Sequence, residues 1–142
     1  GATLEFVKLT LDKFRPSLLS KQAALKARPQ LSREEVEKMR EEAKALLPRR
    51  VAELAHLYGF SYTKVTIRDS KTRWGSCSGR NSLSLSLYLM QVPEHLQDYV
   101  ILHELCHTVH HDHSPQFWAL MDSVTEGKAH ALRRELRRYH TN

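Results

Sequence analysis

Residues 103–113 read His-Glu-Leu-Cys-His-Thr-Val-His-His-Asp-His, and the rest of the predicted fold is arranged around them. On an α-helix, residues four positions apart lie on one face about one turn from each other, so His103 and His107 can bind one metal ion. Glu104 begins on the neighbouring flank, where its carboxylate can reach a metal-bound water without acting as a ligand. The stretch therefore predicts a metal-binding helix with a general base beside the ion.

A third ligand is harder to assign, because His110, His111 and His113 all follow the helix pair. A straight helix carrying His103, His107 and His111 would spread them over about 12 Å of axial rise. A zinc ion holds nitrogen ligands at about 2.0–2.1 Å, so such a row cannot converge on it. The third ligand must therefore lie beyond a turn.

The residues around His113 supply that turn. Ser114 is a favoured N-cap and Pro115 a favoured first helical residue, so a new helix is predicted from this point. His113 directly precedes the cap, where the chain has doubled back, and is our predicted third ligand. Asp112 and His111 remain alternatives.

Several motifs together resemble the YgjP-like metallopeptidase family, whose relatives are the WLM and SprT-type zinc proteases. They are H-E-L-C-H, the H-S-P-x-F-W that starts at His113, the R-W-G-S-C-S of residues 73–78 and the leucine-rich run after it. The resemblance covers about residues 32–125.

This resemblance implies a small zincin-like domain with one zinc ion on His103, His107 and His113, and with Glu104 as the general base. The spacing of the three histidines also equals that of the metzincins. However, His110 stands where metzincins carry glycine, and no separate Met-turn is visible. The metzincin interpretation is therefore disfavoured.

Periodic patterns predict an α+β fold around the metal helix. A capping box at residues 32–35 begins a long helix, which Gly59 ends and which Pro48 should kink or split. Residues 62–68 and 82–89 alternate between two faces, which predicts two half-buried strands in a short antiparallel sheet. Pro93 then begins the metal helix, and two amphipathic helices follow His113.

The chain is predicted to have two parts. Residues 1–31 read as an N-terminal arm or the remnant of an upstream module, and residues 32–142 as the zincin-like metallopeptidase domain. Because the sequence starts at Gly1 and not at methionine, we expect the native N-terminus to be missing.

The connector between the predicted strands carries candidate substrate-binding residues. Arg73 is a candidate for holding a carboxylate or an oxyanion, and Trp74 for lining a substrate pocket. Pairing with an acid and plugging the sheet edge are the purely structural alternatives. Tyr88 is expected to face outward from the second strand, along which an extended peptide could pair if that strand is exposed. Cys77 is not expected to bind the metal, because three imidazoles and water complete a catalytic tetrahedron.

The composition is that of an ordinary soluble domain with a basic surplus. The chain has 142 residues, of which 41% are hydrophobic and 27% charged, and a net charge of +6. It contains no apolar run of the roughly 18–20 residues that a membrane span needs. Its two cysteines lie far apart, which favours reduced thiols and a cytoplasmic location. The basic charge permits nucleic-acid binding without demonstrating it, and the oligomeric state is not readable.

The predicted function is a zinc-dependent metallopeptidase that hydrolyses a peptide or protein substrate, with a zinc-bound water activated by Glu104. One alternative is a zinc hydrolase of nucleotide phosphoanhydride or phosphoester bonds that uses the basic residues of 64–80. Another is a nucleic-acid-associated SprT-type protease, for which the basic stretch 126–142 would be the contact surface.

Overall fold

The computed structural model of the protein describes residues 31–139. Its elements are, in chain order, α1 (Arg33–Tyr58), β1 (Lys64–Arg68), β2 (Gly75–Cys77), β3 (Ser82–Ser86), a 3-10 helix (Leu87–Gln91), α2 (Glu94–Cys106), α3 (Pro115–Val124) and α4 (Ala129–Leu136). The predicted α+β class is confirmed. Apart from its last residue, the predicted arm at residues 1–31 lies outside the described residues and stays a prediction.

Helix α1 begins and ends where the sequence pattern indicates. The Ser32 hydroxyl accepts a hydrogen bond from the Glu35 N–H at 3.0 Å, and the Glu35 carboxylate accepts one from the Ser32 N–H at 2.7 Å. Gly59 follows the helix with φ 78°, a left-handed conformation that glycine adopts without strain. The helix continues through Pro48 without splitting. Tyr58, the last residue of the helix, is 42% exposed.

The predicted antiparallel pairing of the two main strands is wrong. Strands β1 and β3 run parallel, with Lys64 opposite Ser82 and Arg68 opposite Ser86. The connector contributes β2, which pairs antiparallel with β3 and gives the strand order β1-β3-β2. A connector that holds a strand of its own reverses the chain twice, so β3 runs in the same direction as β1. The sheet is therefore mixed, with β3 at its centre.

Strand β3 also ends earlier than its alternating sequence predicts. The buried Ser86 hydroxyl donates to the Ser70 carbonyl at 2.8 Å and accepts from the Tyr88 N–H at 3.1 Å, which starts the 3-10 helix. Residues 87–89 are then all buried, because the two-faced geometry of a strand no longer applies. The prediction that Tyr88 faces outward is wrong. Its side chain is 2% exposed and hydrogen bonded to Asp69.

Because β3 has a partner on each side, an extended peptide cannot pair along it as hypothesised. The edge strand next to β3 that packs on α2 is β2. Helix α2 lies in the interior, in contact with α1, α3, α4 and both of these strands. Val109 lies beyond the end of this helix and is 54% exposed. Within residues 31–139, no helix combines the length and the apolar composition that a membrane crossing requires.

Candidate metal centre

The candidate metal centre lies where α2 ends and the chain turns back. The helix ends at Cys106, and residues 107–113 reverse the chain before α3 begins. The Ser114 hydroxyl accepts a hydrogen bond from the Phe117 N–H at 3.3 Å and so caps the new helix. This reversal brings His113 back against the end of α2.

Three imidazoles, which we call the histidine cluster, converge at this turn. His103, His107 and His113 each offer a ring nitrogen, and these atoms lie within 4.8 Å of one another. The Nε2 atoms of His107 and His113 are 3.2 Å apart. A tetrahedral ion held at about 2.0–2.1 Å separates its nitrogen ligands by about 3.3 Å, so small side-chain rotations suffice to bring all three nitrogens into range. The cluster therefore fits a single metal ion.

The hydrogen bonds of His107 prepare its ring for a metal. Its Nδ1 lies 2.8 Å from the His110 carbonyl oxygen, which can only accept, so Nδ1 carries the proton. The lone pair is then on Nε2, which faces His113. Burial is the main cause that lowers the pKa of His107, which favours the neutral form that binds metals. A backbone carbonyl behind a metal-binding histidine fixes both its tautomer and its orientation.

Glu104 lies beside the cluster in a site closed by the edge strand. Its side chain is 7% exposed, and Oε2 is 3.3 Å from Nδ1 of His103. A Cβ atom on Gly75 would lie 3.1 Å from Cγ and 3.2 Å from Oε2 of Glu104. Because residue 75 has no side chain, strand β2 approaches the carboxylate without crowding it, whereas a Cβ there would require Glu104 to shift. Gly75 was not among the site residues predicted from the sequence, although a glycine inside a strand is a known sign of such an approach.

The ring of Phe117 contacts all three imidazoles. Its ring stacks on His107 at 4.3 Å between centroids, and it meets His103 and His113 edge-on at 5.0 and 5.2 Å. Phe117 is completely buried, so it forms an apolar wall behind the ligand nitrogens. The apolar pattern of α3 marks Phe117 as a packing residue, but its contact with the histidines is visible only in the structure.

The other two candidates for the third ligand have different partners. The Asp112 carboxylate accepts a hydrogen bond from the Ser114 N–H at 3.1 Å. Nε2 of His111 lies 2.9 Å from Oδ1 of Asn81. This contact joins the chain reversal at residues 107–113 to the turn between β2 and β3. Asn81 has φ 62°, a conformation that asparagine tolerates better than most residues, and the sequence analysis did not single it out.

A cleft of about 400 Å³ opens over the histidine cluster. Its walls are Arg73, Gly75, Ser76, Cys77, His103, His107, His111 and His113. The predicted substrate-binding residues Arg73 and Trp74 lie at this cleft or beside it, whereas Tyr88 does not line it. Burial, followed by the charge of Glu104, raises the pKa of the Cys77 thiol to about 11. Among the described residues, the ligand atoms that converge are those of the three histidines and do not include the Cys77 sulfur.

Comparisons with known proteins agree with this geometry. The family model described as the YgjP-like metallopeptidase domain matches residues 10–139, a wider range than the predicted 32–125. The crystal structure of the metallopeptidase zymogen abylysin from Pyrococcus abyssi has a similar fold, with a TM-score of 0.54 and 21% sequence identity. The similarity covers 72% of this chain and 93% of that chain. A search of curated proteins gave no match.

Replacing Gly75 with alanine should destabilise the protein. The added methyl group would lie 3.1–3.2 Å from the side chains of Glu104 and Leu85, and overpacking of this kind costs about 1–3 kcal/mol. Chemical denaturation measures the free energy of unfolding. Gly79→Ala is the matched control, because nothing lies within 4 Å of a Cβ there. Equal stability of the two variants would contradict the close packing of β2 on Glu104.

Proposed function

The chain belongs to the YgjP-like metallopeptidase family, and from that premise we propose that it hydrolyses peptide bonds with one zinc ion held by His103, His107 and His113. The observation that carries the proposal is the 3.2 Å separation of the His107 and His113 Nε2 atoms, with a buried carboxylate alongside. Three histidines leave one position of a tetrahedral zinc open, as catalysis requires. The nucleotide hydrolase and the nucleic-acid-associated protease remain predictions that no contact of the described residues favours.

Each residue of the centre has a distinct role in this proposal. Bound zinc supplies a Lewis acid that polarises the scissile carbonyl and acidifies the attacking water. Glu104 accepts the proton of that water and delivers it to the leaving amine. Only 5% of the surface of the whole Glu104 residue is exposed, and this burial keeps bulk water away from the carboxylate. Phe117 holds the imidazoles in place, and the His110 carbonyl keeps Nε2 of His107 unprotonated.

The edge of β2 is the proposed binding surface for the peptide backbone. The backbone carbonyl of Trp74 accepts a hydrogen bond from the Ser86 N–H, and the Ser78 N–H donates one to the Ser82 carbonyl. The even-numbered residues of this segment therefore direct their backbone N–H and C=O groups toward β3. In an antiparallel ladder, the residues between them direct their N–H and C=O groups the other way. Gly75 and Cys77 therefore present backbone groups to the cleft, where a substrate strand can pair with them.

Replacing His113 with alanine should weaken metal binding by more than about 100-fold, since even the loss of a supporting contact costs 10- to 100-fold. Metal content after dialysis against a zinc buffer measures the effect. His111→Ala is the control, because this neighbouring imidazole is bonded to Asn81. If His111→Ala lost the metal and His113→Ala kept it, the assignment of the third ligand would be wrong.

The variant Glu104→Gln should keep its zinc and lose turnover by about 10²–10⁴-fold, the usual contribution of a general base. Peptide hydrolysis and metal content are measured on the same sample. Glu94→Gln, an exposed change in the first turn of the same helix, is the control and should retain activity. Retained hydrolysis in Glu104→Gln would exclude Glu104 as the base.

Replacing Cys77 with proline tests the edge strand directly. The change removes one outward-facing N–H while leaving the bonds to β3 intact, and proline is tolerated in this position of an edge strand. We expect kcat/KM for peptides to fall by about tenfold, the effect of one lost hydrogen bond. Cys77→Ala, which keeps the N–H, is the matched control. Equal kcat/KM in the two variants would mean that the peptide does not pair with β2.

A further inference from the structure

The cleft of about 400 Å³ over the histidine cluster is called the metal cleft below. A second cleft adjoins it on the side of Glu104. Its volume is about 250 Å³, and its walls are Arg73, Trp74, Gly75, Tyr99, Val100, His103, Glu104 and Leu136. Most of these side chains are apolar, and Val100 and Tyr99 are almost completely buried. The cleft reaches both Glu104 and His103, so a side chain bound in it belongs to a residue at the cleaved bond. We call it the apolar cleft.

Tyr99 contributes an uncharged surface to the apolar cleft. Burial is the main cause that raises the pKa of its hydroxyl to about 12, so the phenol is neutral at physiological pH. Apart from Glu104, Arg73 and the imidazole of His103, the lining residues carry no ionisable group other than this phenol. The interior of the cleft therefore suits an aliphatic or aromatic side chain.

Arg73 lies where three clefts meet. It lines the metal cleft, the apolar cleft and a smaller cleft of about 150 Å³ that also includes Arg68 and four serines. Arg73 is exposed, and within residues 31–139 no acidic side chain forms an ion pair with it. Of the two interpretations of Arg73 made from the sequence, pairing with an acid of the domain is therefore not observed. Its guanidinium remains available for a carboxylate of the substrate, which it can bind with two hydrogen bonds.

The alternating side chains of an extended peptide determine which of them reaches the apolar cleft and which reaches Arg73. Successive side chains of a strand point to opposite faces of the sheet. A Cβ on Gly75 would face Glu104 and Leu85, so this face of β2 looks toward α2 and the apolar cleft. The opposite face carries Ser76 and Ser84, which line the smaller cleft with Arg68 and Arg73. A peptide paired with β2 therefore directs one side chain to the apolar cleft and the next toward the two arginines.

We infer that the enzyme selects peptides with an apolar side chain at the cleaved bond and a carboxylate one residue further along, which Arg73 binds. The inference rests on the proposed peptidase function. Two sources supply the same chemistry: an acidic side chain at the next residue, or the C-terminal carboxylate of the apolar residue itself. In both cases the cut precedes the apolar residue. The first source describes an enzyme that cuts inside a chain before an apolar residue followed by an acidic one, and the second describes one that releases a single apolar C-terminal residue.

The test begins with cleavage sites in a mixed peptide library, mapped by mass spectrometry, and continues with matched peptide pairs. One pair has Glu or Gln after the apolar residue, with both chain ends blocked. The other pair ends at the apolar residue, as a free acid or as an amide. In at least one pair, we expect wild-type kcat/KM to favour the carboxylate by about tenfold or more, as hydrogen bonds between charged groups do. The pair that shows the preference identifies the source.

In Arg73→Gln, the two members of the preferred pair should be cleaved at equal rates. Arg80→Gln is the control, because Arg80 is exposed on the same connector but lines none of the three clefts. Affinity of Glu104→Gln for the same peptides gives a readout that does not depend on turnover. In Leu136→Trp, the apolar cleft should narrow, and cleavage at leucine or phenylalanine should fall about tenfold relative to alanine.

The outcomes separate this inference from the proposed function. Peptide hydrolysis by the wild type without a carboxylate preference, or a preference that survives in Arg73→Gln, would overturn the inference and leave the peptidase function intact. If the wild type with zinc bound cleaved no peptide, the proposed function would fail and the inference with it. Circular dichroism and metal content equal to the wild type show that each variant is folded.

Discussion

The proposed metal centre depends on a geometric limit, namely that one straight α-helix can direct only two neighbouring imidazoles at a single ion. One helix supplies two imidazoles to an ion, but a third on the same straight helix would lie too far along the axis. The chain satisfies this constraint by ending α2 at Cys106 and returning within seven residues to Ser114. The same turn contains His110, whose backbone carbonyl binds Nδ1 of His107. The turn that ends the helix therefore also orients one of the proposed ligands.

The second constraint is the contact between α2 and the edge of the sheet. Gly75 lets the backbone of β2 lie against Glu104 without crowding it, beside the histidine cluster. Placing β2 there requires that the connector between the two parallel strands return along β3. If β1 and β3 had formed a simple antiparallel pair, the connector would not have contributed β2, and β3 would have had no edge strand between it and the cleft. The mixed sheet thus positions the carboxylate and leaves a free strand edge at the same place.

The sequence predicted the features that are encoded over short distances. The capping box at Ser32, the end of α1 at Gly59 and the new helix at Ser114 each depend on residues within about one helical turn, and each is observed. The direction of β3 was missed because it depends on whether the connector forms a strand, which its short Gly-Ser-Cys segment does not reveal.

Other features depend on side-chain contacts across longer distances. Tyr88 continues the alternation of β3 in the sequence, but the Ser86 hydroxyl binds its backbone and ends the strand. The apolar cleft is lined by residues of α2, α4 and the connector that lie far apart in the sequence, so no local pattern describes it or the position of Arg73.

The histidines of the cluster lie close together along the chain, and this spacing affects the denatured state as well. All three histidines fall within residues 103–113, so a short, entropically inexpensive loop can gather them even in a denatured polypeptide. If they bind zinc as proposed, such a polypeptide retains some affinity for the ion. The rise in melting temperature on adding metal is then smaller than the affinity of the native protein alone implies.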